Sequence, residues 1–433
     1  MRGAIVSSFL TIFVLLLRST AAAEEKTCRL RPLGHGKDDT SQVEKAIANC
    51  GKHGTTIFET GSYNITRKMK WDLLSSKVDL KGYLNFPPNI DYWLNPNNTY
   101  RAIIIQSQAS WFVVTGRDFV IDAHNTGGIQ GNGQKWWSFY AGKPHNDGDG
   151  RPVSLSLVNV TRGEVRNFRI ESPPFWANAV SQSSQVTYDG MYTNASSLDP
   201  AWEGQNLVLN TDGINTYRSS FVTLKNWDVT CGDDCLAIKG NSSNIVAHNI
   251  TCRGGNGIAF GSLGQYAELV DIVENVDLKD IHVTRIDPKI QPLMQWGVMF
   301  KSWSGSVKGA PPTGGGGGTG YARNITARNV YVDRVDTPIY IHQTYNNDEH
   351  SGDLPSKLNF GGITYINFTG TASSDKIVDL QCSPGAFCHD ITFKNINVTA
   401  PAGVAPQYLC LNTQNIHGLS GEHELGDTCM IVV

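Results

Sequence analysis

Six times between residues 220 and 398 the chain repeats one short phrase: an alternating apolar strand, a polar turn rich in asparagine, and a second short strand. The copies fall at 220–229, 244–251, 275–283, 324–332, 362–368 and 390–398. Ile245 follows Val222, and Ile391 follows Ile363, at the short end of the range of solenoid repeats; the larger gaps hold insertions. Strands this short, with no helical interval between them, cannot bury an apolar face alone. Stacked in parallel, each rung buries its Ile, Val and Leu against the rungs above and below. The expected fold is therefore all-β, a parallel β-helix. Asparagine suits its turns because it tolerates the left-handed backbone region. A β-sandwich would show similar alternation; the recurring Asn-Ile-x-x-x-Asn-Ile favours the solenoid.

The N-terminal part breaks the pattern. Thr40 to Cys50 carries Val43, Ala46 and Ile47 at helical spacing behind a capping candidate, and reads as a short helix closing the first rung. Residues 308–320 (KGAPPTGGGGGTG) form a Pro/Gly excursion that lacks the Lys-Ser/Thr ending of a phosphate loop. Arg2, an apolar run from Ala4 to Leu17 and Ala21-Ala22-Ala23 make the pattern of a secretory signal, with a run short for a membrane span. The expected organisation is a signal peptide over 1–23 and a single β-helix catalytic domain over 24–433, secreted and monomeric.

Nine sequons agree with export, at Asn64, Asn97, Asn159, Asn194, Asn241, Asn249, Asn324, Asn367 and Asn397. Nine cysteines do too. Their spacing suggests local staples, Cys28–Cys50, Cys235–Cys252, Cys382–Cys388 and Cys410–Cys429, with Cys231 left over, though spacing does not fix connectivity. No Cys/His cluster has zinc spacing, and neither a metal nor another cofactor is expected. The formal charge is −3, and −5 once Arg2 and Arg18 are set aside. That balance does not suit a nucleic-acid partner.

Chemistry concentrates in Asn210-Thr211-Asp212-Gly213 and Cys231-Gly232-Asp233-Asp234-Cys235. Asp212 precedes Asp233, and Asp234 precedes Asn256 of Gly255-Asn256-Gly257, by intervals that each come close to one rung. Neighbouring strands lie about 5 Å apart, so three carboxylates should meet on one face with the 255–257 loop beside them. Carboxylates that close cannot all ionise freely, and one should hold its proton near neutral pH. A protonated acid beside ionised partners is what glycoside hydrolysis requires. Two plainer readings stay open on spacing alone: ordinary turn aspartates and a calcium site.

Beyond spacing, the motifs resemble those of glycoside hydrolase family 28, the polygalacturonases. The matching stretches are Gly127-Gly128-Ile129-Gln130-Gly131-Asn132-Gly133-Gln134-Lys135-Trp136-Trp137, Glu171-Ser172-Pro173-Pro174-Phe175-Trp176, the two aspartate segments, and Gly261-Ser262-Leu263-Gly264. The resemblance implies a right-handed parallel β-helix and single-displacement hydrolysis, with inversion, of a pectic polysaccharide or oligogalacturonate. It implies Asp233 as general acid, with Asp212 and Asp234 holding and activating the water. It also implies substrate contacts from Asn210, Asn256, Lys301 and Tyr345, the last in Ile341-His342-Gln343-Thr344-Tyr345.

Two departures bear on specificity. The family's Gly-His-Gly is Gly255-Asn256-Gly257 here, and its Arg-Ile-Lys is Met299-Phe300-Lys301. Lys301 is left to meet a substrate carboxylate as a point charge, without arginine's bidentate geometry. With the Gly261 to Tyr266 stretch and the 304–320 insertion, these departures resemble the exo-acting fungal branch. Loops closing one end of the cleft would admit only a chain terminus and release single galacturonic acid units from the non-reducing end. Trp296, Trp303 and Tyr266 are candidates for stacking on sugar faces. The rivals are an exo-hydrolase of rhamnogalacturonan or substituted galacturonan, a pectate lyase on the same scaffold, and an inactive pectin-binding β-helix. A lyase needs a basic arginine and calcium, and the aspartate triad with Lys301 suits hydrolysis better.

Overall fold

The computed structural model describes residues 26–143, 147–343 and 354–419, with the backbone alone at 102–103 and 428–432. The repeated phrases stack in parallel register. Val222 pairs with Ile245, Ile245 with Val276, Val276 with Ile325, Ile325 with Ile363, and Ile363 with Ile391. All of these are buried, and each contributes about 1.5–3 kcal/mol in the company of its neighbours. Among the described residues the product is one 27-stranded sheet wound as a parallel β-helix. At its C-terminal end Gln407–Leu411 pairs antiparallel with Thr428–Val432.

The turn asparagines do two jobs. Asn226, Asn249, Asn329, Asn367 and Asn395 all adopt φ between 54° and 57°, supplying the left-handed bend. Their side chains also bond along the helix axis: Asn249 donates to Asn226 at 2.7 Å, Asn367 to Asn329 at 3.0 Å and Asn395 to Asn367 at 2.9 Å. Asn324 donates to Asn275 at 2.6 Å in a second ladder. Sequon residues Asn249, Asn324 and Asn367 therefore already use their amides structurally, and none of the nine sequon asparagines is buried.

Thr40–Cys50 is helical, burying Val43, Ala46 and Ile47 over the first rungs. Its cap position is Asp39, one residue before the expected Thr40. The Asp39 carboxylate makes no cap bond to the helix backbone; it accepts the N–H groups of Leu33 and Asn64, both at 2.8 Å, and the side-chain amide of Gln42. Disulfides join Cys28–Cys50, Cys235–Cys252 and Cys382–Cys388. Cys410 is also disulfide-bonded, and the strand register sets Cys429 opposite it. Cys231 is a buried free thiol. Among the described residues no helix is long and apolar enough to cross a membrane; the segment 1–23, read as a secretory signal, lies outside them.

One sheet column positions the site. Ile214, Leu236, Ile258 and Val298 stack in register at the starts of successive rungs. A small sheet of Tyr100–Ile103, Gln108–Ser110 and Pro152–Val153 and the insertion after Trp303 stand over the outward face of this column.

Candidate active site

Asp212, Asp234 and Asn256 each stand just ahead of a member of that row, at the same offset from Ile214, Leu236 and Ile258. Stacking thus carries them onto one ledge, with Asp233 beside them. Asp212, Asp233 and Asp234 each bring a carboxylate oxygen within 4.8 Å of the others. A polar pocket of about 180 Å³ opens over them.

Asp233 is the most elaborately held. Its Oδ1 accepts the Asn256 amide and the Asp234 N–H, both at 2.9 Å, and its Oδ2 accepts the Asn210 amide at 3.2 Å. Asn256 reaches it because its neighbours are glycines. Gly255 and Gly257 adopt φ of +72° and +68°, and a Cβ would come 2.2 Å from the Asp233 carbonyl at the first and 1.9 Å from the Trp296 carbonyl at the second. Asn210 is fixed from behind by the buried Arg151, whose guanidinium donates to Asn210 Oδ1 at 2.8 Å, Leu209 O at 2.9 Å and Asp149 at 2.8 Å.

The three carboxylates occupy different electrostatic surroundings. Burial, with the charge of Asp234 added, pushes Asp233 up to about 6. Burial and the charges of Asp233 and Asp234 push Asp212 well above the usual carboxylate range. Asp212 Oδ2 accepts the Asn215 amide at 3.0 Å, while its buried Oδ1 has no partner among the described residues. Asp234 is ion-paired, with Lys301 Nζ at 3.1 and 2.8 Å from its two oxygens. Asp212 and Asp233 therefore hold their protons above the range of a free carboxylate. Two ammonium groups, Lys301 and Lys239, line the same pocket, and the first offsets the Asp234 charge directly.

The structure moves some expectations. Lys301, expected to face a substrate carboxylate, lines the pocket with its ammonium on Asp234. Met299, where the family has arginine, is fully buried. Tyr345 lies outside the described residues. Of the aromatic candidates, Trp303 lines the pocket and donates to Ser262 Oγ at 3.1 Å. Trp296 stacks on Tyr340 at 5.5 Å, and the Tyr266 hydroxyl accepts the Gln106 N–H at 2.7 Å; neither lines the pocket. Missing from the sequence reading were Lys239, Asp147, Arg151 and Trp176. Trp176 ends a motif already singled out, and Lys239 alternates with the core residues Leu236 and Ile238; Asp147 and Arg151 carry no such signal.

Residues 75–420 match the family model described as Glycosyl hydrolases family 28. The chain belongs to this family. Its place among family 28 glycoside hydrolases extends over nearly the whole sequence. An Aspergillus niger protein provisionally named galacturan 1,4-alpha-galacturonidase A is 38% identical, across 91% of this chain and 92% of its own length. Alpha-L-rhamnosidase rgxB of Aspergillus niger is 32% identical, across 93% of this chain and 90% of its own. The crystal structure of endo-xylogalacturonan hydrolase from Aspergillus tubingensis shares the fold with a TM-score of 0.70 at 22% identity, over 93% of this chain and 98% of that one.

Proposed function

We propose that this family 28 hydrolase is a secreted exo-polygalacturonase, releasing α-1,4-linked galacturonic acid from the non-reducing end of pectic chains with inversion. The observation that carries the reading is the shape of the site. The aspartates lie in a pocket of about 180 Å³, below the roughly 300–1,000 Å³ of sites that enclose a drug-sized ligand. Pro312 and Thr313 of the insertion and Gln106, in the turn between the first two strands of the small sheet, wall it. The Gln265 amide fastens the insertion, donating to the Pro312 and Gly314 carbonyls at 3.0 Å each. A long chain cannot run through such a pocket; a chain end can enter it. The galacturonidase name of the 38% identical relative supports galacturonate as the unit that enters.

In this reading Asp233 gives its proton to the glycosidic oxygen as the C1–O bond breaks. A water held by Asp212 and Asp234 attacks C1 from the opposite face and loses one proton to Asp234, the carboxylate ion-paired with Lys301. The carboxylates, with oxygens within 4.8 Å, are closer than the roughly 6.5–9.5 Å of most inverting pairs. A third carboxylate accounts for this, because a water bridging two of them leaves neither free to attack carbon.

Digestion of polygalacturonic acid tests both parts. Galacturonic acid is the sole early product expected, appearing first as the β-anomer by NMR. Mixed oligomers with a rapid fall in viscosity would sink the exo reading, and an α-anomer would make one aspartate a nucleophile. The 32% identity to a rhamnosidase favours one second reading, exo-hydrolysis of rhamnogalacturonan, which rhamnose release would establish.

Asn256 tunes the acid in this scheme. Its amide donates to Asp233 Oδ1, which favours the ionised carboxylate. Asn256→Ala is expected to raise the basic limb of kcat/KM by about one pH unit. Asn256→His in its charged form should move the limb the other way. Unmoved limbs in both variants would mean that Asp233 does not set it.

A further inference from the structure

Among the described residues, Lys239 is a buried cation without an ion-pair partner. It follows Leu236–Ile238 on the outward side of the site column, lines the pocket and is 4% exposed. Its ammonium makes one long hydrogen bond there, 3.5 Å to the Gly261 carbonyl, and stands 5.1 Å from the centre of the Trp176 ring. The two other buried cations of the site are each matched: Lys301 sits on Asp234, and Arg151 on Asp149 and Asn210. An unpaired buried ammonium is strongly unfavourable, so its persistence at a pocket wall calls for an anion that arrives from outside.

The surroundings say which anion. Asp147, Asp212 and Asp271 all feel the Lys239 charge, which opposes the upward push of burial on each, yet none approaches to ion-pair distance. Asp147 is turned toward the Gln106 and Gln108 amides at 2.9 and 3.0 Å, and Asp271 accepts the Gly264 N–H at 2.7 Å. The pocket of about 180 Å³ that Lys239 and Trp176 line is thus left to receive a carboxylate from outside.

We infer that Lys239, rather than Lys301, receives the carboxylate of the uronic acid unit held in the pocket. The assignment rests on the exo-polygalacturonase reading for the identity of that unit. It also supplies from another rung the positive charge that Met299 cannot.

Calorimetric binding of galacturonic acid and of galactose, which differ at C6 alone, tests the assignment on the full chain. The wild type should bind the acid far better than the neutral sugar. Lys239→Met should weaken binding of the acid roughly 100-fold and leave galactose unchanged, while Lys239→Arg keeps most of the preference. Without sugar, Lys239→Met should melt above the wild type, because it removes an unpaired buried charge. Undiminished preference in Lys239→Met, equal losses for both sugars, no preference in the wild type, or a variant that melts lower or fails to fold would each overturn the assignment. A wild type that binds galacturonate but cleaves no galacturonan would overturn the exo-hydrolase reading and leave the Lys239 assignment standing.

Discussion

Asp233→Asn is expected to lower kcat on polygalacturonate by about 10²- to 10⁴-fold while making the free protein more stable near neutral pH. The first effect follows from removing the proton that the leaving oxygen needs. The second follows from linkage. Asp233 is pushed up to about 6 in the folded protein, against about 3.9 in an unfolded chain. The native state therefore grips this proton more tightly than the unfolded state does. Its stabilising contribution is complete below about pH 4 and fades as pH rises, until above about pH 6 the buried charge costs about 3 kcal/mol. Asp212, pushed the same way by burial and its neighbours, acts in the same direction. Asparagine escapes the cost, less one unfavourable contact where its amide meets the Asn210 amide at the position of Oδ2. Denaturation midpoints at pH 4 and pH 7 should shift in the variant's favour between the two, and wild-type kcat/KM should fall above about pH 6. A variant retaining more than about a tenth of wild-type kcat would remove Asp233 from the acid's role.

Legibility followed what each residue's position depends on. The rungs could be read because Val222, Ile245, Ile363 and Ile391 sit at a period that only stacking satisfies, and they do stack. The aspartate ledge could be read for the same reason: Asp212, Asp234 and Asn256 recur at one even spacing, and one rung is what that spacing spans. The terminal helix was visible in Val43, Ala46 and Ile47 because its own periodicity buries them. The pocket walls could not be read this way. Gln106, Asp147 and Arg151 belong to excursions with no repeat, and only the folded column brings them over the site. Arg151 acts on Asp233 through Asn210, 59 residues away in sequence, a separation that no local pattern announces. The partner of Lys301 was hidden similarly, since pairing with Asp234 spans 67 residues and depends on which face of the strand the lysine takes.

Phe300→Ala should cost about 3–5 kcal/mol of stability and reduce activity beyond what that loss explains. Phe300 is fully buried, stacked on Phe260 at 4.2 Å with the rings 5° from parallel, and tilted against Phe360 at 5.5 Å. Its strand neighbours Met299 and Lys301 point to the opposite face, where Lys301 lines the pocket. The aromatic column thus props the wall that holds Lys301 Nζ 2.8 Å from Asp234. A solenoid rung has only its two neighbours to absorb a void, so relaxation should reach that ion pair. Shifting catalytic groups by about 1 Å costs up to roughly 100-fold in rate. Phe221→Ala is the matched control: the same deletion at a ring 56% exposed should stay within about 0.5 kcal/mol. Urea midpoints and kcat, measured where both variants remain folded, separate the two effects. If Phe300→Ala lost stability but kept wild-type kcat, the ion pair would be held by the covering loops, and the column would support the fold without positioning the site.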